Sequence, residues 1–224
     1  MGWMFEYNCK EDLKMLISFG GMKRKYGMNV KGIIHVGGHF GEEIRDYISE
    51  GVNQIIVFEP LSKNFEVLSK NCQNLNANIY GHQVALGSEE KTVEMYISSN
   101  DGLSSSILKP KVHLTQYKDV LFNERETVEV KLLDNFDTKD FNFLNMDVQG
   151  YELEVLKGGK ETLKKVDYVY CEVNRDEVYE NNAYIEEIDD YLAEFNFKRV
   201  DVSWDGDTWG DALYIKQNVN RRII

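Results

Sequence analysis

The sequence predicts an α/β fold: a mostly parallel sheet with helices on both faces and an antiparallel hairpin at the C-terminal end. Three observations predict it. Short apolar runs alternate with stretches of helical periodicity along most of the 224 residues. A glycine-rich loop joins the first of these runs to the first helix of the alternation. The tail, 198–216, reads as two strands turning at Asp205-Gly206. Five core strands and the two of the hairpin make a seven-stranded sheet.

Taken in order, Leu13, Leu16 and Ile17 mark a short amphipathic helix that stops at Gly20-Gly21, within an N-terminal helical extension over 1–31. Gly32-Ile33-Ile34-His35-Val36 is the first buried strand, followed by Gly37, Gly38 and Gly41. Ile44, Tyr47 and Ile48 then repeat at helical spacing among Glu42, Glu43, Arg45 and Asp46, with Gly51 as C-cap. The second strand, 54–58, ends at Glu59-Pro60. Phe65, Leu68 and Cys72 share a face of a helix over 62–75, with Ser62 as N-cap. The third strand runs over 79–84, and Ala85-Leu86-Gly87-Ser88 turns away from it. Val93, Met95 and Ile97 alternate in a half-buried strand, as do Val128, Val130 and Leu132. Between them, 98–127 is an irregular insertion, and a stretch of that length without periodicity suits a functional loop. The fourth core strand, 141–146, ends at Asp147, and Leu153, Val155, Leu156 and Leu163 lie on the helix after it. The fifth, 168–173, carries Glu172 and Asn174 at its end, and Ile185, Ile188, Leu192 and Phe195 mark the helix beyond. Tyr168 and Tyr170 alternate as core residues. One domain over 1–224 is expected, long enough to bury a full core.

A hydrophobic content of 42% and a charged content of 29% suit a soluble globular chain. The formal net charge of -12 repels phosphate backbones and acidic lipid surfaces, so neither nucleic acid nor membrane is an expected partner. Cys9, Cys72 and Cys171 are scattered, form no CxxC pair and imply a reducing compartment. No basic start with an apolar run precedes the fold and no apolar run approaches a membrane span, so the cytoplasm is the expected location. No pattern specifies an oligomeric state.

The strand–glycine loop–helix–strand unit over 32–60 points to nucleoside binding. Glycine lets a ligand approach the backbone, and an acid about twenty residues on can accept hydrogen bonds from both ribose hydroxyls. Glu59 stands at that position. The dinucleotide pattern GxGxxG would need a glycine where Val36 stands, which weakens an NAD reading. On this argument Gly37→Val should abolish cofactor binding and leave the fold intact.

Several stretches together make the chain resemble the FkbM family of S-adenosylmethionine-dependent methyltransferases. They are HVGGHFGEE at 35–43, FEP at 58–60, VALG at 84–87, GLSSS at 102–106, FLNMDVQGYELEVLKGG at 143–159, EVN at 172–174 and WGDA at 209–212. The resemblance covers about Gly32 to Ile215 and implies a Rossmann-like methyltransferase fold. It implies S-adenosyl-L-methionine as cofactor, bound by Gly37, Gly38, His39, Gly41, Glu59, Pro60, Ala85, Ser105 and Asp147. It also implies a small-molecule or glycan acceptor with a free hydroxyl. The family often has Asp, Lys and Glu where this chain has His35, Asn145 and Gln149, so a mechanism that needs a lysine at 145 does not carry over.

An alcohol needs a base, or a metal that lowers its pKa, before it can attack. Asp147, Glu172 and Asn174 end strands on the side where open α/β sheets bind ligands; the methyltransferase strand order that the resemblance implies makes those strands neighbours, and the three are the candidate catalytic set. The same oxygens suit a metal, Mg²⁺ or Mn²⁺, or a metal-free carboxylate base; capping of the next helix by Asp147 and a salt bridge of Glu172 are the bland alternatives. His113, in the insertion, is either a general base or a surface histidine. His35 fits packing under the glycine loop and His82 a structural role. Ser104 to Ser106 either hold the methionyl carboxylate or substrate, or form a turn. Trp204 and Trp209 beside Asp205 and Asp207 fit hairpin packing better than sugar stacking. An O-methyltransferase acting on a sugar is therefore the leading reading. An NAD-dependent oxidoreductase and a non-catalytic nucleotide-binding module are the alternatives, and nucleic-acid amino methylation lacks its Asn-Pro-Pro-aromatic motif.

Overall fold

A computed structural model describes residues 15–217. Its main sheet is built from β1 (Ile33–Val36), β2 (Gln54–Phe58), β3 (Asn78–His82), β7 (Phe143–Met146), β8 (Tyr168–Asn174), β9 (Phe197–Asp205) and β10 (Trp209–Lys216). A three-stranded sheet holds β4 (Ala85–Leu86), β5 (Lys91–Ile97) and β6 (Glu124–Lys131). The helices are α1 (Phe19–Tyr26), α2 (Ile44–Ser49), α3 (Ser62–Cys72), α4 (His113–Gln116), α5 (Glu152–Lys157), α6 (Lys160–Lys165) and α7 (Ile185–Ala193).

The seven-stranded sheet has the order β3-β2-β1-β7-β8-β10-β9. Its strands run parallel except β10, which pairs antiparallel with both β8 and β9. Every residue of β1, β7 and β8 is buried, which is what continuous apolar strands covered on both faces require. Alternation sends neighbouring residues to opposite faces. Ile34, Val36, Leu144, Met146 and Val169 join one core with Val155, Leu163 and Leu192 from α5, α6 and α7. Ile33, Ile55, Phe143, Tyr168 and Tyr170 join the other with Phe19, Met22, Ile44 and Tyr47 from α1 and α2.

Several boundaries differ from the sequence reading. The N-terminal helix starts at Phe19 and runs through Gly20-Gly21 instead of stopping there; Leu13, expected in it, lies outside the described residues, as does Cys9. Lys23 and Arg24 of this helix contact Glu50 after α2, a long-range tie that no local pattern contains. Ser62 is the first helical residue of α3 and not its cap; its N–H is taken by Glu126 at 2.9 Å. The helix expected after Asp147 is two, α5 and α6, broken at Gly158-Gly159. A Cβ on Gly158 would lie 2.0 Å from the Gly87 carbonyl, so two backbones cross at contact distance. The third strand ends at His82, and Ala85-Leu86 leaves the main sheet to pair with Val130-Lys131. This gives the second sheet its own small core of Leu61, Ala85, Met95, Val128 and Val130. Inside the insertion, Ser106 bridges to Tyr96 and α4 is a single turn.

Among the described residues, no helix is long and apolar enough to cross a membrane.

Candidate active site

The carboxyl ends of β2, β1, β7 and β8 and the amino end of the antiparallel β10 open onto one cavity of about 640 Å³, roofed by the small sheet and the insertion. Open α/β sheets place their ligands at this edge, and the volume is that of a small-molecule site.

At the β1–β2 end, Gly37 and Gly38 donate their N–H groups to the Phe58 carbonyl at 3.0 and 2.9 Å, which holds the glycine loop against the tip of β2. Glu59 is buried there. Its Oε2 accepts the His39 N–H at 2.9 Å and its Oε1 accepts the Leu61 N–H at 2.9 Å. Burial pushes its carboxyl up to about 7. Pro60 and Ala85 line the same end. The His39 ring lies 2.8 Å from Glu42 Oε1 and 3.1 Å from the Asp101 carbonyl. Both neighbours are acceptors, so the arrangement is complete only when both ring nitrogens carry protons. Burial opposes that charge, but the bond to Glu42 and its charge outweigh it and raise the pKa. His39 thereby ties the glycine loop to the insertion.

Gly37 lines the cavity; Gly38 and Gly41 do not. A Cβ on Gly38 would sit 2.3 Å from Val57 Cγ2, so that glycine serves packing. Gly41, at φ +82, turns the loop into α2. Gly37, at φ +84, is confined by protein: a Cβ would lie 1.8 Å from the Asp147 carbonyl. The expectation that Gly37→Val spares the fold is therefore corrected, because the added atoms meet β7 before they meet a ligand.

At the β7–β8 end, Asp147 opens into the cavity while Glu172 and Glu152 are buried. One carboxylate oxygen from each lies within 4.8 Å of the others. The amide of Gln149 spans two of them, donating to Asp147 Oδ1 at 2.7 Å and Glu172 Oε2 at 2.8 Å. Its Oε1 lies 2.7 Å from the Tyr179 hydroxyl, and its carbonyl accepts the Ser106 hydroxyl at 2.7 Å. Gln149 holds this position at φ +55, a left-handed backbone uncommon for a residue with a side chain. Glu152 Oε1 accepts the N–H groups of Val148 and Gly150 at 3.0 and 3.2 Å. Burial pushes Glu152 up to about 7; burial, then the charges of Asp147 and Glu152, push Glu172 well up. Asp147, open to the cavity but surrounded by its walls, is raised by the desolvation they impose, against the opposing Gln149 bond.

The expected trio of Asp147, Glu172 and Asn174 does not form. Asn174 is buried, does not line the cavity and, among the described residues, its side chain has no hydrogen-bond partner, whereas Glu152 lies beside the other two. The Gln149 amide already satisfies oxygens of Asp147 and Glu172, so a metal would have to displace it; no ion is assigned to this set.

His113 does line the cavity, buried with its ring 4.9 Å from Tyr117, 5.2 Å from Phe122 and 5.7 Å from Tyr179. Burial lowers its pKa, so it is a neutral imidazole with an unpartnered Nδ1. Ser105 is not a flexible turn residue: its Oγ accepts the Ser98 N–H at 3.0 Å and fixes the serine loop. Trp209 lines the cavity and donates Nε1–H to the Tyr117 hydroxyl at 2.9 Å, while Trp204 stacks 3.4 Å from the Arg175 guanidinium.

Sequence reasoning missed the roles of Gln149, Glu152, Tyr179 and Asp211. Asp211 accepts the Tyr170 hydroxyl and the Leu16 N–H, and burial raises its carboxyl to about 6. Its signal was an acid inside an otherwise apolar strand. Beneath the glycine loop, His35 is pushed down to about 4 by burial and Glu43 up to about 8.

A family model described as a methyltransferase FkbM domain matches residues 35–199. The 2-O-methyltransferase NoeI of Sinorhizobium fredii is 30% identical over 174 residues, spanning 73% of this chain and 71% of that protein. A methyltransferase FkbM from Methylobacillus flagellatus superimposes at TM-score 0.56 and 16% identity, over 83% of this chain. This chain spans only 43% of that protein's length. The magnesium protoporphyrin IX methyltransferase of Synechocystis, solved with S-adenosylmethionine bound, shares the fold at TM-score 0.51 and 8% identity over 88% of this chain and 76% of that one. The chain belongs to the FkbM methyltransferase family.

Proposed function

We propose that the chain is an S-adenosylmethionine-dependent O-methyltransferase acting on a hydroxyl of a sugar or glycan. The observation that carries this reading is the row of carboxylates along one edge of the sheet in one cavity: Glu59 at β2, Asp147 after β7 and Glu172 on β8. When bound, the cofactor supplies an electrophilic sulfonium methyl, which passes to oxygen as its S–C bond breaks and the sulfur keeps the electron pair.

The residues fit a cationic cofactor. Glu59, held by two backbone N–H groups, presents its remaining lone pairs to a ribose, and Pro60 and Ala85 flank it. His39, held between Glu42 and Asp101, and Ser105, held against Ser98, brace the loops on either side. The carboxylates of the β7–β8 end stabilise positive charge placed before them. They also supply the base: Asp147 opens to the cavity, and a raised carboxylate accepts an alcohol proton more readily than an ordinary one. Gln149 holds Asp147 and Glu172 at fixed separation, so the hydroxyl and the methyl group meet in line. The named relative, a 2-O-methyltransferase, supports transfer to oxygen.

An NAD-dependent oxidoreductase fits less well. A pyrophosphate would lie among carboxylates, and among the described residues neither lysine nor arginine lines the cavity. Transfer of labelled methyl groups from S-adenosylmethionine to a panel of free sugars and short glycans tests the proposal. No transfer to any hydroxyl acceptor, with tight cofactor binding, would leave a non-catalytic module.

A further inference from the structure

We infer that the acceptor carries no phosphate: the cavity takes an uncharged hydroxyl acceptor, a free or glycosidically linked sugar, and turns away nucleotide-linked sugars. This rests on the reading of the site as a sugar O-methyltransferase and goes beyond it, because both kinds of acceptor offer the same hydroxyls.

Two independent observations carry it. The first is the charge of the walls. Carboxyl side chains line the cavity from Glu59 through Asp147 and Glu172 to Asp211, with Asp205 at its edge, and among the described residues no lysine or arginine joins them. Protonation blunts that negative field without reversing its sign. His39, the cationic member of the lining, has both ring nitrogens directed at Glu42 and the Asp101 carbonyl. His113 is neutral and enclosed by aromatic rings. The formal net charge of -12 extends the same sign outward, so an anionic ligand is also disfavoured on approach.

The second is the state of the backbone. Glycine loops bind phosphate by turning free N–H groups toward it. Here those groups are spent. Gly37 and Gly38 donate to Phe58, His39 to Glu59, Phe40 to Glu42 and Gly41 to Gly38. In the serine loop, the N–H groups of residues 104–106 donate to Ser98, Gly102 and Tyr96 in turn. The N–H groups of Val148 and Gly150 both go to Glu152. Among the described residues, neither a lysine or arginine of the lining nor these loop N–H groups are open to a nucleoside diphosphate, which is bound best by charged and backbone donors.

The strand order separates the ends of the site. Glu59 lies at β2, the reactive carboxylates at β7 and β8, and the far wall at β10, where Tyr117, Val178 and Trp209 face the cavity. This wall offers an uncharged acceptor apolar surface with polar tips at Tyr117 and Trp209. Where the acceptor is a glycosidically linked sugar that came from a nucleoside-diphosphate donor, the reaction that supplies it is the glycosyl transfer that releases the nucleotide, so methylation follows that transfer.

The test has two arms on the full chain saturated with S-adenosylhomocysteine. Calorimetry with UDP, and with matched pairs of UDP-sugars and their methyl glycosides, reads binding without turnover. Methyl transfer to the same pairs, with S-adenosylmethionine in place of the product, reads selection. No heat from UDP or UDP-sugars up to about 10 mM, and kcat/KM for the glycoside at least about 100-fold above that of its nucleotide-linked partner, are expected. UDP or a UDP-sugar binding with Kd below about 1 mM, or methylation of the nucleotide-linked partner at a comparable rate, overturns the inference while leaving the methyltransferase reading intact. Exclusion of every UDP compound with no transfer to any sugar does the reverse: the charge selection stands and the sugar O-methyltransferase reading falls.

Discussion

At the β1–β2 end of the cavity Glu59 is held by backbone N–H groups, those of His39 and Leu61, whereas at the β7–β8 end Asp147 and Glu172 are held by one side-chain amide, that of Gln149. The backbone donors keep Glu59 in place whatever its protonation state, which suits recognition of a ligand that does not change during the reaction. The amide grips each of the other carboxylates by one oxygen and leaves Asp147 open to the cavity, so a proton can come and go. Binding is assigned to the rigid end and chemistry to the exchangeable one, and substitutions should separate the two.

The largest effect is expected at the exchangeable end. Asp147→Asn and Glu172→Gln should each lower kcat by about 10²–10⁴, or about 2.7–5.5 kcal/mol of barrier. Calorimetric affinity for S-adenosylhomocysteine should change by less than about threefold. Full activity in both variants would remove these carboxylates from the chemistry and turn attention to the neutral His113. At the rigid end the pattern should invert. Glu59→Ala should weaken S-adenosylmethionine by about 1.5–3 kcal/mol and lower kcat at saturation far less. If Glu59→Ala binds as the wild type does, the acid belongs to the fold alone.

Gly37 is where the two ends touch, and it sharpens the comparison from the middle. Gly37→Ala places a Cβ 1.8 Å from the Asp147 carbonyl at φ +84. The backbone must shift at a cost of about 1–3 kcal/mol, read as a lower denaturant midpoint. Because the displaced group is the backbone of Asp147, kcat should fall together with cofactor affinity. A variant of wild-type stability that loses only cofactor affinity would show that ligand, not β7, sets the space around Gly37.

What was legible in the sequence follows the same division. The rigid end is nearly contiguous: β1, the glycine loop and Glu59 lie within 33–59, and apolar runs, glycines and a terminal acid mark them. The main sheet was legible because β1, β7 and β8 are buried on both faces and so read as apolar runs. The second sheet was not, because Ala85-Leu86 is too short for periodicity and is defined by its partner Val130-Lys131. The exchangeable end is assembled from the insertion, the β7–α5 turn, the loop after β8 and β10. Gln149 earns its position through a left-handed backbone and a contact with Tyr179, thirty residues on, neither of which has a local signature. Asn174 shares the face of Glu172 but stands two residues further along β8, where its backbone bridges to Tyr184 and its side chain does not reach the cavity lining.

The smallest expected effect concerns pH and reads both ends at once. Burial raises Glu43 to about 8, and Glu59 and Glu152 to about 7, above the roughly 4.3 of an unfolded chain. The ligand-free folded state therefore holds protons that the unfolded state has released, and stability must fall as pH rises from about 4.3 and level off once each folded value is passed. His35 works the other way, since its depressed pKa costs stability only as pH drops below about 6.5, the unfolded value. Between pH 7 and 8.5 the loss still to come is mostly that of Glu43, with the raised His39 acting in the same direction, and the melting temperature of the ligand-free protein should decline, by about 2–4 °C for each kcal/mol lost in a chain of this size. S-adenosylmethionine should reverse the sign. Its positive charge favours ionised carboxylates, so the rise in melting temperature it produces should be larger at pH 8.5 than at pH 7. Glu59→Gln should flatten part of the decline and Glu152→Gln another part, which measures how much of the strain each end stores. A ligand-free melting temperature that is level or rises over this window would mean that Glu43 is already ionised in the folded protein and that burial does not hold it protonated.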